Sequence, residues 1–158
     1  MGLDMFLNKK YYVQNWEHNP KDRHFSYEIR QGGKPSTIPT EKIKEIVCEE
    51  IYWRKANAIH SWFVKNCQDG VDDCGYYDVD IEQLEQLLST VKQVLDDHSK
   101  ASELLPSQEG FFFGGTEYDE YYFKDLEHTK DGLEQAIKRN KQDRKSETIS
   151  WFQYHSSW

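Results

Sequence analysis

From Glu41 to Gln68 the chain runs without a single Gly or Pro. Those two residues are the strongest local breakers of regular structure, so an unbroken stretch of this length constrains the fold more than anything else in the sequence. It predicts one long helix over about 41–68. Its first half is amphipathic, with Ile43, Ile46 and Val47 as the apolar stripe. Its second half is apolar nearly all round: Ile51, Tyr52, Trp53, Ala56, Ile59, Trp62, Phe63 and Val64. A helix of that kind is expected at the centre of a domain, covered on several sides. Gln68-Asp69-Gly70 ends it, with Gly70 suited to a left-handed C-terminal position.

A second helix is expected over about 80–96. Asp80 and Gln83 have the spacing of a capping box, and Ile81, Leu84, Leu88, Val91 and Leu95 make one clean stripe. A third, over about 117–142, follows from Tyr118, Tyr121, Tyr122, Leu126, Leu133 and Ile137, with Gly132 as its weak point. Leu3, Met5 and Leu7 alternate as in a strand, as do Phe25, Tyr27 and Ile29. Asn19-Pro20 and Gly32-Gly33 read as turns, and Thr40 as an N-cap. The loop 69–78 and the polar stretch 96–108 read as connections, and Gly110–Thr116 as a short buried strand or tight turn. Thr148–Tyr154 is β-branched and aromatic, which predicts a C-terminal strand. The expected class is α+β: three main helices (about 41–68, 80–96 and 117–142) with a small, mostly antiparallel sheet from the N-terminal strands and the C-terminal strand. At 158 residues a single domain, 1–158, is expected.

Charge narrows the partners. Asp plus Glu total 28 against 20 Lys plus Arg, a formal net charge of -8. Duplex nucleic acid is bound by clustered cations that displace counterions, so no duplex-binding face is expected. The basic stretch Lys138–Lys145 reads as a solvated helix end. No apolar run approaches the ~20 residues of a membrane span, and the first ten residues lack the pattern of a secretory leader. Gly2 is not followed by the Ser or Thr of a myristoylation signal, since Phe6 stands there. Cys48, Cys67 and Cys74 have no C-x-x-C spacing and are odd in number, which fits a reducing cytoplasm. The histidines show no H-E-x-x-H, and there is no G-x-S-x-G. No metal, cofactor or catalytic residue is therefore assigned, and Asp69, Asp72 and Asp73 read as a solvated acidic loop.

Two clusters stand out. On the expected long helix, Trp53, Asn57, His60 and Val64 fall on one face. A buried amide or imidazole must be hydrogen-bonded or it costs about 1–3 kcal/mol, so Asn57 and His60 either belong to a satisfied core network or line a pocket with Trp53 as a stacking plate. Arg54 points elsewhere and suits a phosphate or carboxylate. The second cluster is Gly114-Gly115-Thr116-Glu117-Tyr118-Asp119-Glu120-Tyr121-Tyr122. Glycines before a helix start free backbone N–H groups for an anion, while Glu117, Asp119 and Glu120 oppose a phosphate there. The tyrosines can instead stack on a base while a carboxylate accepts from ribose or amino groups.

Several stretches together resemble a family of small uncharacterised proteins encoded by bacteriophages and prophages. They are Met1-Gly-Leu-Asp-Met5, Asn15-Trp-Glu-His18, Tyr52-Trp-Arg-Lys-Ala-Asn-Ala-Ile-His60, Asp69-Gly-Val-Asp-Asp-Cys74, Gly110-Phe-Phe-Phe-Gly-Gly-Thr-Glu-Tyr-Asp-Glu-Tyr-Tyr122 and Ser156-Ser-Trp158. The resemblance brings no catalytic motif. It implies expression in the cytoplasm of an infected bacterium and action against host defence. The leading expectation is a protein that binds and sequesters a nucleotide-like immune signal, cyclic or of ADP-ribose type. Trp53, Arg54, Asn57, His60, Gly115, Thr116, Tyr118, Asp119 and Tyr122 are its expected ligand-binding residues, in a homo-oligomer. The alternatives are a protein-binding inhibitor of a host defence factor and a nucleotide-cleaving enzyme.

Overall fold

The computed structural model describes residues 2–158; Met1, which opens the first of the stretches quoted above, lies outside them. Four strands form one sheet: β1 (Asp4–Tyr12), β4 (Glu45–Arg54), β5 (Tyr76–Val79) and β6 (Ser150–Ser157). Their order is β4-β1-β6-β5, and every neighbouring pair is antiparallel. A separate two-residue hairpin, β2 (Arg30–Gln31) with β3 (Lys34–Pro35), turns at Gly32-Gly33. The helices are α1 (Asn57–Cys67), α2 (Ile81–Asp96), the single turn α3 (Ala101–Leu104) and α4 (Glu120–Lys145). The class is α+β, with an N-terminal and a C-terminal strand in one sheet as expected; they lie side by side.

The expected helix over 41–68 is overturned. Its N-terminal half is the edge strand β4, Thr40–Lys42 is a single 3-10 turn, and only Asn57–Cys67 is helical. An unbroken apolar run is compatible with either period, and here β-branched and aromatic residues decide it. Ile51 and Trp53 are buried while Tyr52 and Arg54 are exposed, the alternation of a strand with one covered face. The break falls at Lys55, which adopts a left-handed backbone (φ 58) without being glycine. Its N–H is held by the Leu3 carbonyl at 2.7 Å, and its own carbonyl accepts from Asn57 N–H at 2.9 Å. These bonds stabilise a sharp strand-to-helix elbow that no breaker residue announces.

Smaller differences have similar causes. Phe25–Ile29 forms no strand, because it lies in the long β1–β4 connection with no partner. β5 occupies part of the expected loop 69–78, and α3 part of the expected loop 96–108. The helix expected from 117 starts three residues later, where Asp119 accepts the N–H groups of Tyr121 and Tyr122, each at 3.1 Å. At α2 the expected cap is present: the Asp80 N–H donates to Gln83 Oε1 at 2.9 Å.

One face of the sheet carries the core. Met5, Leu7, Ile51, Trp53, Phe152 and Tyr154 meet Phe63, Leu84, Leu87, Leu126 and Leu133 from the helices. Inside α4, Gly132 is required by close approach. A Cβ there would stand 2.7 Å from both Cγ1 and Cδ1 of Ile51, which is buried. Gly132→Ala is therefore expected to lose about 1–3 kcal/mol by urea titration, despite alanine's better helix propensity. The smaller Ile51→Val change should recover part of that loss in the double variant.

Candidate functional site

The elbow between β4 and α1 forms one wall of a cleft of about 480 Å³. Arg54, Lys55, Asn57, Ala58 and Ile59 line that wall. Gly114, Gly115, Glu117 and Asp119 line a second, and Tyr121, Tyr122, Lys124 and Asp125 from α4 complete it. Helix α1 has no side-chain cap. Among the described residues, the N–H groups of Ala58 and Ile59 have no acceptor, so the positive end of the helix faces the cleft. Arg54 is exposed and makes no ion pair among the described residues. Gly114 has φ 82, and a Cβ there would stand 3.2 Å from Lys55 Cβ, so two left-handed residues pack against each other at the rim.

Asn57 anchors the facing segment rather than the cleft interior. Its amide donates to the carbonyls of Phe113 (3.0 Å) and Gly115 (2.8 Å), and its Oδ1 accepts from Gln108 N–H at 2.9 Å. No hydrogen-bonding capacity is left over for a ligand beyond one lone pair. Tyr122 is buried, donates to the Leu105 carbonyl at 2.7 Å, and burial raises its phenol well above the usual tyrosine range.

Asp125 is the unusual member of the wall. It makes no side-chain hydrogen bond or ion pair among the described residues, and burial pushes its carboxyl up to about 6, with Asp119 adding to the shift and His128 opposing it. A carboxyl whose folded value lies above its unfolded value binds more protons when folded, so its ionisation lowers stability as pH rises from about 4 through 6. Asp125→Asn is thus expected to raise the melting temperature at pH 8. The advantage should shrink as pH falls through 6 and disappear near pH 4, as followed by calorimetry.

His60 lies elsewhere. Its Nδ1 is 2.7 Å from the Tyr154 hydroxyl and its Nε2 is 2.9 Å from Asp72 Oδ2. Asp72 accepts, so Nε2 is the donor of that bond. The other oxygen of Asp72 accepts from Trp158 Nε1 at 3.1 Å. The imidazole is 1 % exposed and forms the base of a different groove, with Phe111, Phe112, Phe113 and Trp158. Trp53 is buried in the core, donating from Nε1 to Thr129 Oγ1 at 2.8 Å.

Of the nine residues singled out in the sequence, the cleft brings together Arg54, Asn57, Gly115, Asp119 and Tyr122. Trp53 and His60 are not in it, because the strand-to-helix break sends them to different sides. Thr116 contributes its carbonyl to Ser107 Oγ, and Tyr118 accepts from Ser107 N–H while its ring packs edge-on to Tyr122. Sequence reasoning missed Lys55, Asp125 and the free end of α1. Only Asp125 left a signal, as a carboxylate on the same helical face as Tyr122. Among the described residues there is no cluster of three or more potential metal ligands, and no helix is long and apolar enough to cross a membrane. No family model, no curated protein and no solved structure matches this chain.

Proposed function

We propose that this protein binds and sequesters a small nucleotide-like anion in the cleft at the β4–α1 elbow. In the setting implied by the resemblance to phage-encoded proteins, that ligand is a host immune signal, and its removal from solution counteracts anti-phage defence. The observation that carries the reading is the free N-terminal end of α1 at one wall of the cleft, faced by Glu117, Asp119 and Asp125 with Lys124 among them. The uncapped end of α1 lies beside Arg54 and Lys55, and the carboxyl of Asp125 stands on the opposite wall. A ligand with an anionic end and a donor-rich end satisfies both. Phosphate suits backbone N–H groups and guanidinium, and ribose hydroxyls or an exocyclic amine suit a carboxyl acceptor. The size of the cleft is in the range of ordinary small-molecule sites. Tyr121, mostly exposed at its rim, offers a ring for stacking.

The test is calorimetric titration with AMP, ADP-ribose and a cyclic dinucleotide, followed by heat release and chromatography of the nucleotide. At least one is expected to bind and to be recovered intact. Arg54→Glu should weaken that binding at least tenfold with the melting temperature unchanged, because the side chain is exposed. Chemically altered nucleotide would replace sequestration by cleavage, and no binding by any of the three would remove the proposal.

A further inference from the structure

The helices pack on one face of the sheet only. Across the other face runs a row of rings, one from each strand, set by the register Tyr52–Phe6–His155–Tyr76. Neighbouring centroids are 5.3, 6.0 and 4.1 Å apart, and the His155 and Tyr76 planes lie within 8° of parallel. The rings stand side by side, so Tyr76, on the edge strand β5, turns one face to solvent and is 64 % exposed. The next row holds Asn8, Gln153 and Asp78. Gln153 uses its amide N–H toward Asp78 Oδ1 at 3.4 Å, but its Oε1 is buried and has no partner. A buried acceptor left unpaired is costly, and this one is closed off from solvent beneath the face, so the groups the face presents outward are the Tyr76 ring and the Asp78 carboxylate.

An exposed ring face and a carboxylate two residues apart on one edge strand match one side chain better than any other. The guanidinium is planar, stacks on aromatic faces, and carries five donors in a fixed fork. The ammonium of lysine has no plane to stack. Charge agrees: this face carries Asp4, Glu45, Glu49 and Asp78 against Lys10 and Arg54, and the whole chain is at -8. The same balance disfavours a nucleic-acid strand, whose phosphates would meet carboxylates. We propose that the open sheet face docks a basic segment of a partner protein, with an arginine seated on Tyr76 beside the Asp78 carboxylate. It does not rest on the nucleotide cleft, with which it shares only Arg54, at the border of the two.

The experiment uses two fluorescein-labelled peptides, identical except that one carries four arginines and the other four lysines in a Gly-Ser spacer. Binding is read by anisotropy at 0.15 M salt. The arginine peptide is expected to bind about tenfold tighter than the lysine peptide. Tyr76→Ala and Asp78→Asn should each erase most of that preference with the fold retained; Tyr76→Ala also lowers the melting temperature by a few degrees, because it removes the stacking on His155. Glu103→Gln, which removes one negative charge from the exposed α3 turn, should leave it intact. Equal binding of the two peptides, an unaltered preference in Tyr76→Ala, tighter binding of labelled oligouridylate, or no binding at all would each overturn the proposal.

Discussion

Asp143→Ala is expected to cost about 3 kcal/mol. Lys9 sits on the core face of β1, with no exposed surface. Its ammonium reaches Asp143 Oδ2 at 2.6 Å and Asn140 Oδ1 at 3.0 Å, and it lies over the Phe152 ring at 4.8 Å. Tyr11 donates to the same carboxylate oxygen at 2.7 Å. Removing the carboxylate leaves a buried cation whose desolvation is no longer offset. For a domain of this size the loss corresponds to about 6–12 °C in melting temperature. Lys9→Met together with Asp143→Leu should recover much of it, because an apolar pair replaces the ions without leaving either alone. Burial works to raise the Asp143 carboxyl, but the bonds from Lys9 and Tyr11 and the charges of Lys9 and Arg139 outweigh it and hold the group below 3.8. A folded value below the unfolded one means that the contribution is complete above about pH 4 and is lost as pH falls further through the folded value. The wild type should therefore lose stability below pH 4 more steeply than the doubly apolar variant.

Asn57→Ala is expected to have a comparable effect by another route. It removes three hydrogen bonds between the start of α1 and the segment 108–115, and leaves the Phe113 and Gly115 carbonyls and the Gln108 N–H without that partner. A loss of about 3 kcal/mol in urea titrations is expected, since a buried orphan costs about 1–3 kcal/mol and part of this segment can turn to water. The same change should loosen the Gly114-Gly115 wall. Amide hydrogen exchange over 108–116 should then accelerate more than exchange in β1, which separates a released wall from a globally weakened core.

How much of this was legible in the sequence depends on what set each element. α2 was legible at both ends because its cap and its stripe are local. β1 showed its period-two pattern, and β6 showed its β-branched and aromatic composition, though not its last residues. β4 did not, because a strand buried on one face at its end and exposed at its start presents no clean alternation, and Glu50 is drawn inward by Arg139 across a register shift. The elbow at Lys55 is the decisive illegible feature. Its left-handed backbone is held by the Leu3 carbonyl, a partner some fifty residues away, so no local propensity encodes it. That one break separates Trp53 from His60, which a continuous helix would have set on one face. The candidate site was legible as residue types rather than as geometry. Arg54 and the Gly114–Tyr122 segment were marked by chemistry, and the fold brings them together. Asn57 and His60 were marked by the oddity of polar groups in apolar surroundings, and their hydrogen bonds to Phe113, Gly115, Tyr154 and Asp72 account for that oddity.

The cleft is tested most directly by titrating 15N-labelled protein with ADP-ribose and AMP and following every backbone amide by NMR. The account predicts saturable shifts concentrated at Ala58, Ile59, Gly114 and Gly115, with the His60–Trp158 groove and the open sheet face unmoved. Shifts confined to Phe111–Phe113 and Trp158, or a spectrum indifferent to both nucleotides, would contradict it.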